Sequence, residues 1–241
     1  MSHPNSFSGT AFLIADPARA AMLTALLDGR ALPAGELAHA AGITAQTAST
    51  HLAKLVEGGL LAVETEGRHK YFRLAGAHVA QALEHLAAIT PAAAVRRATP
   101  SPKARELGFC RCCYDHLAGQ VGVAVTQALQ SHGYLVPMPD KQYEVTPAGV
   151  VWFGEVGLNV RDIRPTRRGL ARQCLDWTER AHHLAGPLGV QFLRQLCDAG
   201  WMLRARQSRA VLVTPKGWQE LHRRLGIDEA TVRSEAAHRH A

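Results

Sequence analysis

The chain has 241 residues, 47% of them hydrophobic and 20% charged, a composition that excludes extended disorder and leaves room for two small domains with their own cores. A net charge of +7, with 13 histidines besides, favours polyanionic partners, nucleic acid first among them. No basic leader precedes a sustained apolar run, and the short run around Ile14 falls far below the roughly 18 residues of a membrane span. The five cysteines, an odd number, suit a reducing compartment, so a cytoplasmic protein without a membrane partner is expected.

Residues 15–27 read as the first helix, capped by Asp16, opened by Pro17 and carrying Met22, Leu23, Leu26 and Leu27 on one face. Residues 33–41 give a short second helix with Leu37 inward, stopped by Gly42. Thr44 can cap a third over 45–57, whose apolar side holds Ala48, Leu52, Leu55 and Val56. Gly58-Gly59 breaks it. Two extended runs, 60–64 and 70–74, form a hairpin with a charged tip, and 77–88 closes the segment as a helix with Val79, Leu83 and Leu86 on one side. From 90 to 106 three prolines interrupt an alanine- and charge-rich stretch, which reads as a linker or a broken helix extension.

The second half repeats itself. His116-Leu-Ala-Gly119 with Gly122-Val123 returns 67 positions on (183 − 116) as His183-Leu-Ala-Gly186 with Gly189-Val190. Gly133-Tyr134 matches Gly200-Trp201, and Val145-Thr146-Pro147 with Gly149 matches Val213-Thr214-Pro215 with Gly217. Each copy reads helix, strand, turn, strand, helix, with Thr146 and Thr214 as caps of the closing helices. The expected fold is therefore mainly α with small β-hairpins (α+β). Residues 1–95 form a winged helix-turn-helix domain for DNA binding and dimerisation, and 96–106 a linker. Residues 107–228 form an effector domain of two tandem helix-strand-strand-helix repeats, and 229–241 a polar tail.

Residues 36–52 have helix-turn-helix spacing: Ala38 lets two helices approach, Gly42 takes the turn, Ile43 plugs the core and Thr44 caps the next helix. That helix offers Gln46, Thr47, Ser49, Thr50 and His51 from its first turns, where base edges are met in a major groove. Lys54 sits one turn on, at phosphate height, and Arg68, His69 and Lys70 make a basic hairpin tip. On ADPARAAMLTAL, ELAHAAGITAQTASTHLAKLVEGGLL and EGRHKYFRL, residues 15–88 resemble the ArsR/SmtB family of winged-helix repressors. The resemblance implies a homodimer through the first and last helices of the domain, the 45–57 helix in the major groove, wing residues on the backbone, and repression relieved by an effector. Two departures matter. Ala38-His39-Ala40 stands where metal-sensing members carry Cys-x-Cys, and His78, Glu84 and His85 supply only part of the zinc set of the last helix.

The effector candidates lie further on: Cys110, Cys112, Cys113 and His116 at the start of the first repeat, and Cys174, Trp177 and His183 at the start of the second. Thiolates and imidazoles bind soft metals or metalloids, and thiolates react with oxidants. The same residues also serve as packing, as free thiols commonly do, or as the lining of an organic-ligand pocket together with Trp152, Trp201 and Trp218. On a helix Cys110 and Cys113 would point one way and Cys112 another. A sequence-specific regulator of double-stranded DNA is expected, a repressor on an inverted-repeat operator, released by a thiol-reactive species, a soft metal or metalloid, or an organic ligand. The alternatives are a non-specific architectural DNA-binding protein and an enzyme with Cys113 as nucleophile and His116 as base.

Overall fold

The structure, a computed structural model, describes residues 6–67, 69–89, 102–206 and 208–239. The chain divides into two compact units, Met1–Ala87 and Ala88–Ala241.

The first unit opens with α1 (Phe7–Ala15) and α2 (Pro17–Ala25), where a single helix over 15–27 was expected. Asp16 is the joint. Its extended backbone (ψ 128°) ends α1, and its carboxylate accepts from Arg19 N at 3.0 Å to cap α2. Arg19, although charged, is buried because its guanidinium donates to the carbonyls of Leu13 (2.6 Å) and Phe12 (2.8 Å) at the end of α1. A 3-10 turn (Leu26–Asp28) follows α2, then the short strand β1 (Leu32–Pro33), α3 (Ala34–Ala41) and α4 (Ala45–Glu57). Gly42 at φ 65° ends α3 in the left-handed conformation that glycine tolerates best. Met22, Leu23, Leu26, Leu37, Ala48, Leu52 and Leu55 fill the space between the helices. The hairpin β2 (Leu61–Glu66) and β3 (His69–Leu74) completes a three-stranded antiparallel sheet in the order β1-β3-β2, and α5 (Ala77–Ile89) follows.

The second unit begins with α6 (Pro102–Phe109); Pro102 at its first position suits a helix start, so the tail of the expected linker is helical, and its earlier residues lie outside the described ones. The small hairpin β4 (Arg111–Cys113) and β5 (His116–Ala118) leads into α7 (Gly119–Ser131), then β6 (Leu135–Met138), β7 (Gln142–Val145) and α8 (Pro147–Glu155). After a 3-10 turn (Val160–Asp162) come β8 (Ala171–Leu175), β9 (His182–Ala185), α9 (Gly186–Asp198), β10 (Met202–Arg204), β11 (Val211–Val213), α10 (Pro215–Leu225) and α11 (Glu229–Arg239). Strands β6-β7-β8-β9 form one antiparallel sheet, while β4-β5 and β10-β11 stand as two-stranded ribbons. The stretch expected as a polar tail is mostly α11, anchored by the buried Val232.

Corresponding bonds recur along this unit. The Thr146 hydroxyl accepts from Gly149 N (3.0 Å) and donates to Gly133 O (2.7 Å); the Thr214 hydroxyl accepts from Gly217 N (3.0 Å) and donates to Gly200 O (2.8 Å). Gly119 and Gly186 both take φ 77° where β5 and β9 turn into α7 and α9. One core joins Leu129, Phe153, Leu188, Phe192, Leu193, Leu196 and Leu221, with Trp152, Phe153 and Phe192 meeting edge to face. Trp152 and Trp201 are thus core, and Trp218 packs against it beside Phe109. No single helix among the described residues is long and apolar enough to cross a membrane.

Candidate functional site

In the first unit the sequence pattern of α4 resolves into two faces. Ala48, Leu52 and Leu55 are buried, while Gln46, Thr47, Ser49, Thr50 and Lys54 are exposed. The helix start is fixed by Thr44, whose hydroxyl accepts from Thr47 N at 3.2 Å. Ser49 donates its hydroxyl to Ala45 O (2.9 Å), which leaves its lone pairs facing outward as acceptors. His51 departs from the expected reading face. It is half-buried, its Nδ1 sits 3.3 Å from Arg19 Nη1 and 3.9 Å from Asp16 Oδ1, and so one of its two ring nitrogens is turned inward. On the hairpin, His69 and Lys70 are exposed, Arg73 is paired with Glu64 across the strands, and Arg68 lies outside the described residues. His78 and His85 are exposed on α5 and belong to no group of metal-ligand geometry found among the described residues.

The second unit gathers the other candidates by strand pairing rather than by helix faces. In β4 the side chains alternate, which puts Cys113 with Arg111 and sends Cys112 to the opposite face. Cys113 lies directly across the ladder from His116, and Cys174 directly across from His183. Each hairpin therefore offers one thiol and one imidazole side by side, as cross-strand neighbours are. β5 packs beside β9, and the ligand atoms of Cys113, His116, Cys174 and His183 all fall within 4.8 Å of one another. The imidazoles face each other Nε2 to Nε2 at 3.1 Å. Cys113, His116 and His183 are buried and Cys174 is half-buried.

Two carboxylates stand behind the imidazoles. Asp115 Oδ1 is 3.0 Å from His116 Nδ1, and Asp176 Oδ2 is 3.4 Å from His183 Nδ1, close but too poorly aligned for a hydrogen bond. Burial works to lower the His116 pKa, yet the Asp115 carboxylate and the Cys113 thiol beside it raise it to about 9. Asp176 is wholly buried and heavily solvated by the protein. Its Oδ1 accepts from Arg111 Nη2 (2.9 Å), Thr178 N (2.9 Å), Thr178 Oγ1 (2.7 Å) and Glu179 N (3.1 Å), and its Oδ2 from Gly119 N (2.8 Å). Burial alone would raise the carboxyl pKa, but the Arg111 guanidinium, His183 and these N–H donors hold it well below the usual carboxylate range. Trp177 lies under the Arg111 guanidinium, 5.4 Å from its ring centroid, and so serves this ion pair rather than the thiols. Cys110 lies in the core next to α6, and Cys112 donates its thiol to Tyr114 O at 3.1 Å.

Known proteins align with both parts of this picture. The family described as Helix-turn-helix domain matches residues 14–64. An uncharacterised HTH-type transcriptional regulator of Bacillus subtilis, YdfF, is 43% identical over 215 residues, which span 89% of this chain and 95% of YdfF. The chain belongs to the HTH-type transcriptional regulators. Residues 14–64 carry the helix-turn-helix domain that the spacing of residues 36–52 implied. The HTH-type transcriptional regulator CmtR of Mycobacterium tuberculosis is 44% identical over 73 residues, 30% of this chain and 61% of CmtR. An NMR structure titled as the cadmium metal-sensor CmtR from that organism shares 35% identity over 39% of this chain and 96% of its own, with a TM-score of 0.30. These relatives are transcriptional regulators, and the enzyme reading of Cys113 and His116 is set aside with them.

Sequence reasoning named all four clustered residues of the regulator but missed what orders them. Arg111 and Asp176 were absent from the candidates, and Asp115 entered only as the orienting carboxylate of the Cys113 and His116 enzyme reading. The signal was present: Cys113-Tyr-Asp115 and Cys174-Leu-Asp176 stand 61 apart (174 − 113), each ahead of its own His-Leu-Ala-Gly. Six more residues in the second hairpin (67 − 61) hide the match. Its loop closes through Arg180 N on Asp176 O at 2.8 Å, so the longer connection still returns His183 to the rung opposite Cys174.

Proposed function

We propose that this regulator is a homodimeric, sequence-specific repressor whose second unit senses the effector that releases it from DNA. The single observation that carries the DNA-reading part is the outward face of α4. Its first turns carry Gln46, Thr47, Ser49 and Thr50, all exposed and polar, on a helix locked by Thr44 and a packed apolar side. Gln pairs bidentately with adenine, and hydroxyls bond bases or phosphates. Lys54, His69, Lys70 and Arg68 supply the phosphate contacts that set register. His51 contributes at most its outer edge.

Exposed apolar side chains support the dimer. Phe7 and Phe12 on α1 are 93% and 69% exposed, and Leu86 on α5 is 45% exposed, a distribution that suits helices paired with those of a second copy. A twofold dimer sets its two α4 helices about 34 Å apart and so matches an inverted-repeat operator. The second unit is read as a tandem duplication, on the strength of the matched caps at Thr146 and Thr214 and the matched turns at Gly119 and Gly186. Its thiols and imidazoles make thiol or metal chemistry the favoured effector class.

A gel shift on the DNA upstream of its own coding region, in excess competitor, tests the reading. Gln46→Ala is expected to cost about 1–3 kcal/mol and to relax preference at one base pair. Lys70→Ala should weaken all sequences alike and reduce the salt slope by about 1. The reverse pattern would overturn these roles, and equal affinity for any duplex would favour an architectural binder.

A further inference from the structure

We propose that Cys113, His116, Cys174 and His183 form a closed four-ligand site for a borderline-soft d10 dication, with Zn2+ the reference ion. The geometry fits the ion's size. A tetrahedron with metal–sulfur bonds of about 2.3 Å and metal–nitrogen bonds of about 2.0 Å has edges of roughly 3.3–3.8 Å. The four ligand atoms already lie within 4.8 Å of one another, and the two Nε2 atoms are 3.1 Å apart, so little movement brings them onto one ion.

The tautomers point the same way. Asp115 stands against His116 Nδ1 and Asp176 beside His183 Nδ1, an arrangement that favours a proton on each Nδ1 and a lone pair on each Nε2. The two Nε2 atoms approach to 3.1 Å, a separation that calls for something positive between them. A proton shared between them answers this in the ion's absence, and a dication would take its place while drawing in both thiols. Carboxylate behind imidazole is also the outer-shell pattern that orients metal-bound histidine.

Charge and symmetry agree. Two thiolates neutralise a dication and two neutral imidazoles add none, so the ion with its four ligands carries no net charge, and the nearby Arg111–Asp176 pair is itself balanced at 2.9 Å. Each hairpin gives one Cys, one His and one Asp in the order Cys-x-Asp then His, so the ion would sit where two copies of one ligand set meet. Two sulfur ligands exclude Mg2+ and Ca2+, and four protein ligands in a buried pocket leave no open position for catalysis. Occupancy would be felt beyond the ligands. Asp176, next to His183, holds Gly119 N at the first residue of α7, and Thr126 in the same helix accepts from Leu184 N at 2.8 Å, so two bonds tie α7 to the second hairpin.

This site is offered as the sensing centre of the proposed repressor and in that role rests on the preceding reading. Co2+ titration of the full-length, chelator-treated, reduced protein separates the two. One equivalent per chain should produce intense tetrahedral visible bands and thiolate charge-transfer absorption, both abolished by added Zn2+. Cys174→Ser should lose the charge-transfer intensity of one sulfur, and Cys197→Ser should leave the spectrum unchanged. Asp115→Asn, at a half-exposed carboxylate, should loosen zinc about 10- to 100-fold at unchanged stoichiometry. Weak octahedral bands, no one-equivalent endpoint, or a spectrum insensitive to Cys174→Ser would overturn the site, whatever the gel shift on the same samples shows. A cobalt spectrum as expected, with operator affinity unmoved by metal, would establish the site and overturn its sensing role.

Discussion

Cys110, Cys112 and Cys113 sit within four residues and meet three different environments. Cys110 is 1% exposed in the core, Cys112 is buried on the far face of β4, and Cys113 turns toward the imidazoles. Burial pushes the Cys112 thiol up to about 11 and the Cys110 thiol further still. Only the thiolate attacks an alkylating reagent, and at pH 7 a thiol of that pKa is ionised to roughly one part in 10⁴. Native protein treated with iodoacetamide should therefore show Cys110 and Cys112 unmodified long after an unfolded sample is fully alkylated. The Cys112 rate should climb about tenfold per pH unit over the alkaline range, because the raised pKa keeps the thiolate the minor form throughout. Peptide mass spectrometry gives both rates. Alkylation of native Cys112 at the unfolded rate would contradict this and restore it as an oxidant sensor. Much of the centre was legible at this scale, since the repeated His-Leu-Ala-Gly marked His116 and His183. The carboxylates were not, because Asp115 is equivalent to Asp176 only once the six-residue lengthening of the second hairpin is recognised.

At the scale of elements, α8 holds two glycines with opposite duties. A Cβ on Gly149 would lie 2.2 Å from Tyr134 O, a backbone atom that the preceding turn fixes, whereas one on Gly154 would meet nothing within 4 Å. Gly149→Ala is therefore expected to destabilise the protein by about 1–3 kcal/mol through overpacking, although alanine is the better helix former. Gly154→Ala should stabilise it by about 0.5–1 kcal/mol, through propensity and a less disordered unfolded chain. Urea unfolding of both variants decides this, and equal effects would mean that α8 does not approach the turn closely. The same element shows why sequence located long helices well. Thr146-Pro147 announces a start, and α4 runs over the expected 45–57 because Thr44, Gly58 and a full apolar face agree. Short or mixed elements escaped. The three-residue β4 and β5 are too brief for alternation to register, so the cysteines were weighed as a helix, which put Cys110 and Cys113 on one side and Cys112 on the other. α1 lies ahead of the Asp16 cap, where only a short apolar run around Ile14 had registered, and among the described side chains of α11 only Val232 is buried.

At the scale of the whole molecule, the proposed reading makes DNA and effector two ligands of one chain, and thermodynamics then binds their effects together. If the effector site and the reading helix belong to one equilibrium between a DNA-competent and a DNA-incompetent state, the effector need only prefer the second. A coupling of about 1–3 kcal/mol weakens operator binding by roughly 5- to 150-fold. Linkage then requires operator DNA to weaken effector binding by the same factor. Both quantities are accessible for the metal: operator affinity by fluorescence anisotropy with and without one equivalent of Zn2+, and zinc affinity by competition with a chromophoric chelator, with and without saturating operator. The salt concentration must be held fixed, since a protein of net charge +7 binds any duplex more tightly as salt falls, and that term would otherwise pass for coupling. Equal factors above about 5 make the Cys/His centre the switch of the repressor. Unequal factors mean that zinc also binds elsewhere, which Cys113→Ser will reveal by leaving the excess in place. Factors of one in both directions make the ion a staple between two hairpins, and they move the effector of this regulator to another surface of the second unit.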